Sequence, residues 1–91
     1  MKISFTQIGW KEYLHWASQD KKTFKRINAL IEDIQRNGHN GIGKPEPLRH
    51  DLAGFWSRRI DEKNRLIYRL IGKGGGDTVE IAQCKGHYGD K

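Results

Sequence analysis

Glu46 lies between two prolines in Lys44-Pro45-Glu46-Pro47-Leu48, and His87-Tyr88 follows a short apolar run that ends at Cys84. Between them stand Gly54-Phe55-Trp56-Ser57-Arg58-Arg59-Ile60 and Arg65-Leu66-Ile67-Tyr68. A carboxylate, an imidazole, a phenol and several guanidiniums suffice to break an RNA backbone without a metal or cofactor. The carboxylate can take the proton of a 2′-hydroxyl, the imidazole can protonate the leaving oxygen, and the arginines can hold the charge on phosphorus.

Taken singly, none of these residues demands a chemical role. Most glutamates are surface residues. The two prolines set Glu46 apart: Pro45 fixes its own φ and Pro47 drives the preceding residue to an extended backbone, so the carboxylate is held on a stiff segment. Arg65 opens a strand after a turn, where a solvated edge arginine is the ordinary case. His87 and Tyr88 lie close to the end of the chain, where disorder is common, but the apolar strand before them gives them an anchor. His15 and His50 read as surface residues, Phe55 and Trp56 as core or platform residues, and Cys84, within Val79-Glu80-Ile81-Ala82-Gln83-Cys84, as a buried and inert thiol.

The elements that must position these groups follow from periodicity. Lys2–Thr6 alternates and predicts a first strand. Trp10, Tyr13, Leu14 and Ala17 fall on one face of a helix over Gly9–Gln19, with Thr6 as a candidate N-cap. Asp20 caps a second helix over Lys21–Asn37, whose Phe24, Ile27, Leu30, Ile31 and Ile34 form an apolar stripe, and Gly38 stops it. After a Gly/Asn-rich loop, Gly54–Ile60, Arg65–Ile71 and Thr78–Lys85 read as strands of an antiparallel meander, joined by turns at Asp61–Asn64 and Gly72–Asp77. The expectation is an α+β fold, in the order β-α-α-β-β-β, with two helices packed on an antiparallel sheet. Leu66, Tyr68 and Leu70 should face the helices, together with Trp56, Arg58 and Ile60. Ser57, Arg59 and Arg65 should share the uncovered, basic face.

The chain has 91 residues, 31% of them charged and 35% hydrophobic, which suits one folded domain over 1–91. Its formal charge is +6 at pH 7, so an anionic partner is expected, nucleic acid first. One cysteine excludes an internal disulfide, and the histidines show no metal-ligand spacing. The triglycine near the C-terminus fits no phosphate-loop template. There is neither a transmembrane run nor a signal-peptide core, so a cytoplasmic protein without a membrane partner is expected.

The blocks Lys44–His50, Gly54–Ile60, Arg65–Tyr68 and Cys84-Lys85-Gly86-His87-Tyr88, in that order and together with Trp10, Tyr13, Leu14 and Trp16, resemble the YoeB/Txe toxins. These belong to the RelE/ParE superfamily of type II toxin–antitoxin systems. The resemblance implies a microbial-RNase-like fold, ribosome-dependent mRNA cleavage and, commonly, a homodimer. It also implies neutralisation by a YefM/Axe-type antitoxin, with operator DNA reached only through the antitoxin complex. By matching motif positions, Glu46 takes the general-base role and His87 the general-acid role. Arg65 stabilises the transition-state phosphate, and Tyr88 orders the substrate or the histidine. Arg59 and Arg49 bind backbone phosphates, with Lys44 and His50 beside them.

Three departures stand out. Arg49 replaces a frequent lysine and so offers a fork in place of a point charge. The Gly-rich hairpin is long, and Gly89-Asp90-Lys91 follows the tyrosine. Two rival readings use the same fold or surface without the Glu/His pair: a ParE-like gyrase-poisoning toxin, and a non-catalytic RNA-binding module.

Overall fold

The computed structural model describes residues 1–87. Along the chain it contains strand β1 (Lys2–Phe5), helix α1 (Gln7–Gln19), helix α2 (Lys21–Asn37), strand β2 (Glu46–Pro47), a 3-10 turn (His50–Leu52), strand β3 (Trp56–Arg59), strand β4 (Arg65–Ile71), a second 3-10 turn (Lys73–Gly75) and strand β5 (Thr78–Gln83).

The caps are those that local chemistry favours. The Thr6 hydroxyl accepts from Gly9 N–H at 3.0 Å and donates to Ala82 C=O at 2.8 Å, so one side chain starts α1 and pins it to the end of β5. Asp20 caps α2 through Thr23, and Gly38, at φ 64°, ends it. Ile27, Leu30, Ile31 and Ile34 on α2 are buried against Leu66, Tyr68, Val79 and Ile81 of the sheet, which forms the core.

The face of α1 differs from the periodic reading. Trp10, Leu14 and Ala17 are exposed, and the helix meets the sheet through Gly9, Tyr13 and Trp16. Close approach decides this: a Cβ at Gly9 would lie 2.4 Å from the Ile81 carbonyl oxygen, so only glycine lets the helix sit there. The Trp16 indole N–H then reaches Cys84 C=O at 2.8 Å.

The sheet has five strands in the order β1-β5-β4-β3-β2. The C-terminal meander is antiparallel as expected, but β1 joins β5 in parallel, with Lys2 beside Thr78 and Phe5 beside Ile81. The sheet is therefore mixed, not purely antiparallel. Side-chain alternation has the same period in both pairing modes and cannot distinguish them. β2 is an added edge strand: Glu46 pairs with Ser57 and Pro47 with Trp56. An edge tolerates proline because its missing N–H faces away from the ladder.

Arg58 is the largest fully buried side chain. All five of its N–H groups are engaged. Nε donates to the Tyr68 hydroxyl, one terminal nitrogen to the Asp33 carboxylate and Ile42 C=O, and the other to Gly38 and Asn40 C=O. The hydrogen bond from Arg58 holds the Asp33 carboxyl below its ordinary range, against the opposing effect of burial. One guanidinium thus fastens the loop from Gly38 to Ile42 that leads into the Glu46 strand. Arg58→Met should cost about 3 kcal/mol, because it strips loop carbonyls and a carboxylate of their donor together. Urea unfolding should show a lower midpoint with an unchanged slope.

Candidate active site

The loop that carries Glu46 is shaped from both sides. Gly43, at φ 81°, packs so tightly that a Cβ there would lie 2.8 Å from Leu30, and its C=O accepts from Arg59 N–H at 2.7 Å. Lys44 and His50 flank the short strand with φ of 50° and 58°, the left-handed region that non-glycine residues rarely adopt. Leu48 N–H donates to Phe55 C=O at 2.9 Å and closes the far end. Glu46 is thereby set beside Ser57 on the sheet edge.

The arginines come from neighbouring strands. Arg59 on β3 and Arg65 on β4 are directly paired across the ladder. Like charges in that position repel, and a bound anion would relieve the repulsion. The Arg65 guanidinium donates to the Asp61 and Asn64 carbonyls at 2.6 and 3.1 Å, which fixes its orientation. His87 arrives by way of the tail: Arg65 N–H donates to Gly86 C=O at 2.9 Å.

Lys44, Glu46, Ser57, Arg59, Arg65 and His87 line one cavity of about 170 Å³ on the sheet face away from the helices. The carboxylate, the imidazole, the two arginines and the lysine singled out in the sequence therefore converge. Arg49 and His50 do not line this cavity. With Glu46, Pro47 and Leu48 they line an adjoining one of about 470 Å³. On the opposite flank, His87 shares a third depression, of about 580 Å³, with Glu12, Glu62, Lys63, Asn64, Lys85 and Gly86. Glu46 is a wall common to the first and second cavities, and His87 to the first and third. The three form a run of open concavities with Glu46 and His87 in the middle. Tyr88, assigned above to ordering the substrate or the histidine, lies outside the described residues.

Two residues with a place at the site carried no role in the sequence reading. Ser57 is buried and lines the central cavity, and its alternation with Arg59 was the available signal. Asn64 contacts the tail from the β3–β4 turn, through a contact between residues distant in sequence that periodicity does not reveal. Cys84 is fully buried, and desolvation, with Glu12 adding to it, pushes its thiol up to about 12, so it offers no thiolate near neutral pH. Among the described residues there is no group of three His, Cys, Asp or Glu side chains able to hold a metal, and no helix is long and apolar enough to cross a membrane.

Comparison with known proteins adds an independent line. A family model described as the YoeB-like toxin of bacterial type II toxin–antitoxin systems matches residues 5–88. A Streptomyces coelicolor protein named Toxin YoeB is 52% identical over 88 residues, covering 97% of this chain and all of that protein. A solved YoeB/ParE toxin from Agrobacterium tumefaciens superposes with a TM-score of 0.92 at 42% identity, over 97% of this chain and 100% of that one. A Staphylococcus aureus YoeB, solved as a dimer, matches at a TM-score of 0.87 and 40% identity, covering 97% of this chain and 98% of that one. The same organism's YoeB–YefM complex matches at 0.86 and 39%, with the same coverage.

Proposed function

Because the chain belongs to the YoeB-like toxins of bacterial type II toxin–antitoxin systems, we propose that it is an endoribonuclease that cuts mRNA on the ribosome. The observation that carries this reading is the single cavity shared by Glu46, Arg59, Arg65 and His87.

In the proposed reaction the Glu46 carboxylate takes the proton of a ribose 2′-hydroxyl as the 2′-oxygen attacks the adjacent phosphorus. The bond from phosphorus to the 5′-oxygen breaks, and the imidazolium of His87 gives that oxygen its proton. The products are a 2′,3′-cyclic phosphate and a free 5′-hydroxyl, with no oxidation or reduction. Arg65, its guanidinium aimed by two carbonyls, stabilises the extra charge on the phosphoryl oxygens, and Arg59 and Lys44 add to it. Arg49 and His50 hold the strand on the Glu46 side, and Lys63 and Lys85 hold it on the His87 side. Tyr88 orders the substrate or the histidine.

Partners follow from the same chemistry. A cationic groove suits an acidic antitoxin segment of the YefM type, which would fold on binding and cover the site. A homodimer is in keeping with the Staphylococcus aureus relative. A positively charged surface also suits ribosomal RNA, with an affinity that falls as salt rises.

The test is to program purified ribosomes with a defined message, add the protein and map both the position and the chemistry of the ends. Cuts should lie at the codon in the A site and leave 5′-hydroxyl ends, and the same message free in solution should turn over far more slowly. Ends bearing a 5′-phosphate would overturn the mechanism, and equal turnover of free message would overturn the ribosome dependence.

A further inference from the structure

The turn between β3 and β4 does more than reverse the chain. The Asp61 carboxylate accepts from the backbone N–H of Lys63 and of Asn64, at 2.8 and 2.7 Å, and from Asn64 Nδ2 at 3.1 and 3.2 Å. These bonds hold the Asp61 carboxyl below its ordinary range despite the opposing effect of burial. The other end of the Asn64 amide points at the tail: its Oδ1 accepts from Gly86 N–H at 2.8 Å. Gly86 C=O in turn accepts from Arg65 N–H at 2.9 Å. The residue immediately before His87 is thus gripped on both its N–H and its C=O by two consecutive residues, Asn64 at the end of the turn and Arg65 at the start of β4.

The orientation of the amide is fixed by its neighbours. A backbone N–H can meet only an acceptor and a carboxylate can meet only a donor, so the oxygen must face Gly86 and the nitrogen Asp61. Asparagine carries both functions on a short stem. The same turn aims the Arg65 guanidinium through the carbonyls of Asp61 and Asn64. One device therefore sets the spacing between the phosphate clamp and the imidazole.

We propose that Asn64, braced by Asp61, is a positioning residue for the general acid: it holds the tail so that His87 reaches the leaving oxygen. The proposal rests on the acid role assigned to His87 above. A proton donor is effective only within hydrogen-bond reach, so a tail left at Gly86 with the Arg65 bond alone forfeits part of that contribution. The turn itself survives loss of the amide, because the Asp61 carboxylate still accepts two backbone N–H groups.

The experiment uses ribosomes programmed with two versions of one message, an ordinary one and one with sulfur in place of the 5′-oxygen at the scissile linkage. A thiolate leaves without needing a proton. Asn64→Leu should slow the ordinary message about 10- to 100-fold, a part of the gain that a placed general acid supplies. It should cut the sulfur message within a few-fold of wild type, and His87→Gln should behave in the same way with a larger first loss. A variant that had merely lost its fold would lose both substrates.

The paired exchange Asp61→Asn with Asn64→Asp supplies a second arm. The new carboxylate at position 64 can accept from Gly86 and from the new amide at position 61, so the double variant should recover activity that Asn64→Asp alone loses to two facing carboxylates. If sulfur rescues His87→Gln but not Asn64→Leu, or if the exchange recovers nothing, the clamp is wrong. If sulfur fails to rescue His87→Gln, the acid assignment falls first.

Discussion

A message with a single 2′-deoxyribose on the 5′ side of the scissile phosphate should pass through the programmed ribosome uncut at that position, while its all-ribose twin is cleaved. The substitution removes one oxygen and leaves every phosphate in place, so binding to Lys44, Arg59 and Arg65 is retained. What is lost is the nucleophile, together with the advantage of having it tethered next to phosphorus. An oriented intramolecular attack is worth roughly 7–11 kcal/mol over its bimolecular counterpart, so the rate should fall by at least about 10⁴-fold. Primer extension on both messages, with ribosome occupancy measured alongside, gives the answer. Cys84 is no substitute, being sealed in the core with its thiol raised to about 12. Cleavage of the deoxy message at a normal rate would hand the attack to water or to the Ser57 hydroxyl in the cavity, and Glu46 would then activate one of those.

The elements that a local rule governs were readable from the residues. α2 runs over Lys21–Asn37 with its cap at Asp20 and its stop at Gly38, as its stripe and flanks indicate. Alternation along Ser57-Arg58-Arg59 put Arg58 under the helices and Arg59 on the open face, where it joins Arg65 and Glu46. What escaped depends on contacts between distant residues. Gly9 carries the contact of α1 although it has no side chain, because the distance to the Ile81 carbonyl matters more there than hydrophobicity. The parallel pairing of β1 leaves no trace in its own sequence. Arg58 reads as one more cation, yet its donors are consumed in tying down the loop before Glu46. Asn64 reads as a turn residue, and only the fold brings Gly86 to its oxygen. The residues that line the cavity could be read from the strands and the prolines around Glu46, whereas Arg58 and Asn64, which hold the loop and the tail, could not.

Replacing Glu46, the proposed base, should separate a nuclease from its rivals. Glu46→Gln keeps the size of the side chain and the backbone pairing with Ser57, and removes one negative charge from a cavity that also holds Lys44, Arg59 and Arg65. Affinity for a polyanion should therefore hold or rise, and the loss should fall on kcat, by about 10²–10⁴-fold, with KM unchanged or lower. On the proposed reading, message bound on the ribosome would pair its phosphates with the arginines and exclude water from around the carboxylate, which strengthens every electrostatic contact in the site. This is the physical reason for expecting the work to be done there and not on naked RNA. In cells, Glu46→Gln should abolish growth arrest while the protein still binds its antitoxin. A non-catalytic RNA binder has no use for the carboxylate, and neither does a gyrase poison of the same fold, so arrest that persists in this variant would point to one of them. DNA supercoiling measured in the arrested cells would then tell the two apart, since only the gyrase poison acts through it.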